Sequence, residues 1–241
     1  MLRLEKVNKS YGSLKVVDDF SLEVASGEVL GVIGPNGAGK TSLFSAIAGQ
    51  VAIDSGKIFF NEKNVTKALP YRRCLGGMGR TFQVPRPFKG MTVFESARVA
   101  ANFGGGMKGS TADDFAINAV AITGLLDSIN TPCAHLTLLD RKRLELTRAL
   151  ATNPSLLLLD EIGGGLTDHE IHELIGILEE IRGRGISIIW IEHIVHALTS
   201  FVERLIVINF GVKIADGDPK KVMILPEVHE IYLGLDADDA A

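Results

Sequence analysis

The sequence is short of cysteine, has no long apolar run and carries no large excess of charge of either sign. Its two cysteines, Cys74 and Cys133, stand far apart without metal-ligand spacing. That excludes a disulfide framework and a cysteine-built metal site, and reads as two reduced thiols in a cytosolic setting. The longest apolar stretches, Leu156 to Leu159 and Ile186 to Ile191, have the length of core strands. A bilayer span needs about 20 apolar residues, so no segment is expected to cross a membrane by itself. Acidic residues number 29 and basic residues 25, for a net charge of −4. That argues against a primary role on nucleic acid, where a basic face is expected, and leaves docking on a membrane protein open. The first residues, Met1-Leu2-Arg3-Leu4-Glu5-Lys6, are charged from the start, so no signal segment is expected.

What is present is an ordinary globular composition, 46% apolar and 22% charged over 241 residues, enough for one domain with a subdomain. From Leu2 to Glu28 apolar residues recur in strand fashion between turn signals at Tyr11-Gly12-Ser13 and Ser26-Gly27. Val29 to Ile33 reads as a buried strand, Ser42 to Ala48 as a helix, and Gly56 to Phe60 as another strand. The composition shifts at Pro85-Arg86-Pro87. Helical stretches follow over Thr92 to Asn102 and Ala112 to Leu126, broken by Phe103-Gly104-Gly105-Gly106, and Asp140 to Ala151 is a firm helix without Gly or Pro. Strand and helix then alternate: strands Ser155 to Asp160 and Ile186 to Glu192, helices Asp168 to Arg182 and Ile194 to Phe201. A hairpin around Phe210-Gly211 joins Leu205 to Ile208 with Val212 to Ala215. Short helices at Pro219 to Met223 and Pro226 to Tyr232 precede a small acidic tail, 236–241, expected to be disordered. The alternation predicts an α/β fold with a largely parallel sheet. Residues 1–82 and 152–235 form its core, with an N-terminal antiparallel β subdomain, and residues from about 83 to 151 form an inserted helical subdomain.

Between the strand ending at Ile33 and the following helix lies Gly34-Pro35-Asn36-Gly37-Ala38-Gly39-Lys40-Thr41. A strand, a glycine-rich loop and a helix opening with Lys then Thr make a P-loop, the core feature of the P-loop NTPase folds. Glycines let backbone N–H groups curl around an anion, and the helix N-terminus adds positive potential. Gly34 to Ser42 therefore form a nucleoside triphosphate cradle. Lys40 reaches the β- and γ-phosphates, and the Thr41 hydroxyl holds Mg²⁺.

The run Leu156-Leu157-Leu158-Leu159 ends in Asp160-Glu161, delivering two carboxylates at the C-terminal edge, where open α/β sheets bind ligands. Asp160 is placed to hold Mg²⁺ through water, and Glu161 is the candidate base that orients the attacking water. A solvated Asp-Glu pair closing a strand is the plain alternative. His193 follows the next strand at the same edge, within reach of the γ-phosphate and its waters; a surface histidine is the plain alternative. His135, His169, His172, His196 and His229 have no comparable setting.

The order P-loop, Thr81-Phe82-Gln83, helical segment, Leu136-Thr137-Leu138-Leu139-Asp140, Asp160-Glu161 and His193 resembles the ATP-binding subunit of an ABC transporter over nearly the whole chain. The resemblance implies an ATPase that uses ATP and Mg²⁺. It would work as a dimer, with itself or with a sister subunit, on separate transmembrane permease subunits, and would be peripheral on the cytoplasmic face of the inner membrane. It implies that Tyr11 stacks on adenine, although an aromatic closing the first hairpin would look the same, and that Val16 packs near the ribose. Gln83 is implied to link Mg²⁺ and the attacking water to the membrane subunit. Gly79-Arg80-Thr81-Phe82-Gln83, Glu192-His193-Ile194-Val195 and the ending Pro226 to Gly234 look like the branched-chain amino acid uptake branch, which belongs to a wider hydrophobic-amino-acid, amide and urea uptake group and works with a solute-binding protein. Subunits of lipopolysaccharide exporters share much of this pattern.

Two segments depart from the family. Where Leu-Ser-Gly-Gly-Gln is usual, this chain has Leu136 to Asp140, with Leu139 where glycine allows close backbone approach. In the family this segment comes from the opposite protomer and closes over the γ-phosphate. Thr137 is then either a phosphate contact or a helix cap with Asp140 at capping-box spacing. The altered signature also leaves open a nucleotide-binding regulatory subunit with an impaired composite site. After Glu161, Gly164-Gly165-Leu166-Thr167 places Thr167 where the family often has Asp.

Overall fold

A computed structural model describes residues 1–231 of the chain. Its contacts divide into two compact units, Met1–Pro70 with the chain from Ile189 onward, and Tyr71–Ile188.

In the first unit β1 (Leu2–Tyr11) and β2 (Leu14–Val24) form an antiparallel hairpin that pairs Leu4 with Leu22 and Tyr11 with Leu14. Leu2 and Leu4 face the core with Phe20, Leu22 and Val24, as the two-residue period of a half-buried strand requires. β3 (Val29–Ile33) is buried throughout, so every side chain is apolar or absent. It feeds the loop before α1 (Lys40–Ile47). β4 (Ser55–Phe60) runs antiparallel to β1 and pairs with the short β5 (Lys63–Asn64), giving a sheet ordered β2-β1-β4-β5. The expected antiparallel β subdomain is this sheet.

The second unit opens with two elements that the apolar periodicity does not announce, α2 (Pro70–Leu75) and β6 (Met78–Arg80). Next come α3 (Val93–Val99), a π-helical turn over Ala100–Gly104, and α4 (Gly109–Ile122). The chain is thus still helical at Phe103-Gly104, where a break was expected. The turn closes through Gly105 N–H onto Ala100 O, 3.1 Å, while the Cys74 thiol donates to Gly104 O, 3.7 Å. α4 ends before the expected Leu126 because Gly124, left-handed at φ 70°, turns the chain just after the Thr123 cap; the Thr123 hydroxyl donates to Ala119 O, 3.0 Å, and meets Thr147 Oγ1 at 2.6 Å. After short 3₁₀ turns at Leu126–Ser128 and Cys133–His135 come α5 (Leu138–Ala151), β7 (Leu156–Asp160) and α6 (Asp168–Gly183). β6 lies parallel to β7. The helices α3, α4 and α5 pack on one another.

β8 (Ser187–Ile191) carries the chain back to the first unit. There the buried Trp190 meets Phe201 of α7 (Val195–Phe201) edge-on, centroids 5.9 Å apart. β9 (Arg204–Asn209) lies parallel to β3 and antiparallel to β10 (Val212–Gly217). α8 (Pro219–Met223) follows, and residues 226–231 are helical. The expected tail, 236–241, and the end of the last expected helix at Tyr232 lie outside the described residues.

Candidate active site

Residues singled out from sequence fall in both units. In the first, Gly34 leaves β3 and Gly39 caps α1 with φ 101°. A Cβ on Gly39 would stand 2.1 Å from Val16 O, and one on Gly34 would stand 2.1 Å from Ile208 O. Only glycine lets the loop close this tightly. The Lys40 stem is buried and its ammonium donates to Gly34 O, 2.6 Å, and Pro35 O, 2.9 Å, curling over the loop. Gly211 N–H donates to Ala38 O and Asp18 N–H to Gly211 O, both 2.9 Å, so the β9–β10 turn clamps the loop against β2. This brings Val16 against the P-loop. Tyr11 stands half-exposed at the turn of the first hairpin, with the Lys9 ammonium 5.3 Å from its ring centre. Thr41 and Ser42 lie in the first turn of α1, where backbone N–H groups have no partner inside the helix.

His193 is exposed, one residue past the buried Glu192. The Glu192 carboxylate accepts from Trp190 Nε1 at 3.1 Å and from His193 N–H at 3.3 Å. Glu192 N–H donates to Val32 O, 3.4 Å. The chain carrying His193 is thereby tied to β3 two residues before Gly34, at the strand-end edge where the loop begins.

In the second unit, Asp160 ends β7 only 3% exposed. Its Oδ2 is 3.0 Å from Arg80 Nη2, and its N–H donates to Thr81 Oγ1, 3.2 Å. Burial pulls the Arg80 guanidinium below its usual pKa, and the Asp160 charge opposes that pull. Glu161 follows in a left-handed conformation, φ 48°, which turns its side chain out of the strand. Gln83 Nε2 donates to Glu161 Oε2. Beneath them Lys142 Nζ donates to Glu161 O, 3.2 Å, and Gln83 O, 3.4 Å. The structure thus brings together Gln83, Asp160 and Glu161.

Thr137 is the N-cap of α5. Its hydroxyl accepts from Asp140 N–H, 3.2 Å, and donates to Asp140 Oδ2, 2.9 Å. Leu139 is half-buried, and Leu138 lies over Gly165, its Cδ2 3.5 Å from where a Cβ would be. Thr167 caps α6 in a full capping box with Glu170. Two neighbours of the site escaped the sequence reading. Arg80 occurs in a quoted motif but shows its role only through the Asp160 contact, and no spacing marks Lys142 as anything but a helical lysine.

The donor chemistry within each unit suits a hard cation such as Mg²⁺: the first unit offers the Thr41 hydroxyl and the second the Asp160 carboxylate. Among the described residues no group of three His, Cys, Asp or Glu could hold a metal ion. Among the described residues no helix is long and apolar enough to cross a membrane.

Comparison with known proteins agrees with this chemistry. The family model described as "ABC transporter" matches residues 17–163. The lipopolysaccharide export system ATP-binding protein LptB of Haemophilus influenzae is 33% identical over 97% of this chain and 97% of its own. The high-affinity branched-chain amino acid transport ATP-binding protein LivG of Salmonella typhimurium is also 33% identical, over 97% of this chain and 98% of its own. The ADP conformation of MJ1267, an ATP-binding cassette of an ABC transporter, superposes with a TM-score of 0.88 at 29% identity, covering 97% and 98% of the two chains. With its phosphate loop, its strand-end carboxylates and a full-length match to such cassettes, the chain belongs to the ABC transporter family as an ATP-binding, ATP-hydrolysing subunit.

Proposed function

We propose that this chain powers a membrane transporter by binding ATP with Mg²⁺ on Gly34 to Ser42 and hydrolysing it with Glu161 as the base that orients water. The contact of the Gln83 amide with the Glu161 carboxylate carries this reading. Lys40 neutralises charge on the β- and γ-phosphates and His193 meets the γ-phosphate. Tyr11 stacks on adenine and Val16 packs on the ribose. Thr41, Asp160 and Gln83 would hold Mg²⁺, which when bound would supply positive charge to the phosphates. Thr137 and Leu139 act on the nucleotide of a second protomer, through the N-terminus of α5.

The partners are a second ATP-binding subunit, separate transmembrane permeases docked on the helical segment and, indirectly, a solute-binding protein; nucleic acid is not among them. The subunit sits on the cytoplasmic face of the inner membrane. Residues Gly79 to Gln83 and Glu192 to Val195 support uptake of branched-chain amino acids or related amides and urea. The equal identity to LptB favours lipopolysaccharide export as the second reading. Removing the Lys40 ammonium deletes charge-assisted contacts, so K40A weakens ATP binding about 10- to 100-fold; unchanged affinity contradicts the cradle. Proteoliposomes carrying the chain with the permeases encoded beside it separate the branches. ATP-driven leucine uptake supports import, and lipopolysaccharide extraction without uptake supports export.

A further inference from the structure

Lys142 lies in the second turn of α5, 5% exposed. A buried ammonium is tolerated only where its donors are met. Two of its hydrogen bonds end on the backbone carbonyls of Glu161 and Gln83, the two residues whose side chains bond each other. The three residues thus close a ring. Lys142 grips both backbones from below, and the amide and carboxylate meet above.

The peptide following Glu161 is the one that its left-handed φ of 48° swings out of the β7 direction. A glutamate leaves the common regions only where its surroundings hold it there, and the Lys142 bond to the Glu161 carbonyl is such a hold. We infer that Lys142 is a positioning residue for hydrolysis, fixing Glu161 and Gln83 relative to each other and tying both to α5. This rests on the reading of Glu161 as the residue that orients the attacking water. It extends that reading, because α5 begins at Thr137, the segment assigned to the partner's nucleotide. Through Lys142, a shift of that helix moves the base of its own protomer.

The test uses the full-length chain with K142M, which keeps the length of the stem, K142R, which keeps donors, and both E161Q and the E161Q/K142M double variant. K142M lowers kcat about 10- to 100-fold, as misplacement of a catalytic group does, with ATP affinity unchanged. K142R recovers most of the turnover, and K142M costs nothing further in the E161Q background. Hydrogen exchange quickens around residues 83 and 161–166 while α5 keeps its protection. Wild-type turnover in K142M overturns the inference. So does a parallel loss of turnover and affinity, or an equal further loss in E161Q, each of which marks an ordinary buried lysine. Should E161Q itself turn over at the wild-type rate, the base assignment fails instead. Exchange then decides for Lys142: quickening at both segments sustains the positioning role, and unchanged exchange ends it.

Discussion

A carboxylate at a strand end does directed chemistry only if something fixes its aim. At Glu161 the aim comes from a left-handed backbone and from the Gln83 amide on its oxygen. At Asp160 it comes from Arg80 and from a backbone bond to Thr81. The phosphate loop solves the same problem by close approach. At Gly39 any side chain meets the Val16 carbonyl at 2.1 Å, and the conformation alone costs a non-glycine residue about 1–3 kcal/mol. G39A is therefore expected to lose at least that much stability in urea unfolding and to lose ATP affinity with it. An unchanged midpoint would show that the loop has room to relax.

The helices begin where side chains supply the missing acceptors. Thr92 caps α3 and Thr167 caps α6, each in a capping box with a glutamate three residues on. This gives a physical reason for tolerating Thr167 in place of the family's usual Asp, since both are good N-caps. T167A should cost about 1 kcal/mol, read as a lower melting temperature. Glu170 adds a pH signature: hydrogen bonds from the Thr167 backbone and then its hydroxyl hold the Glu170 carboxyl below its ordinary value of 4.5. A carboxyl depressed in the folded state contributes stability that is complete above its unfolded pKa and is lost as pH falls through the folded one. Melting curves from neutral pH to below 4.5 should thus fall more steeply for the wild type than for T167A, and equal slopes would remove Glu170 from the account.

Elements of this kind also show what was legible beforehand. The loop from Gly34 to Thr41 could be read because its chemistry is local: strand, glycines, lysine and helix are consecutive. Asp160-Glu161 could be read because four leucines announce the strand. β6 could not, being three residues with no period of its own, held by pairing with β7 and by Thr81 N–H on Leu158 O, 3.0 Å. The same blindness hid Arg80, whose partner lies 80 residues away in the chain, and Lys142, whose partners lie 59 and 19 residues away. Tyr11 shows the limit from the other side. Its place at the hairpin turn is what a closing aromatic requires, and adenine stacking needs a ligand to display it.

For the molecule as a whole, no described helix is long and apolar enough to cross a membrane, and the proposed account is of a subunit that drives separate permease chains. Every part of that account depends on ATP turnover, and in the proposed mechanism turnover depends on one carboxylate, Glu161. The direct measurement is steady-state ATPase of E161Q beside its ATP affinity. Loss of a positioned base predicts turnover lower by about 10²- to 10⁴-fold with binding retained. Hydrolysis near the wild-type rate would contradict Glu161 as the base.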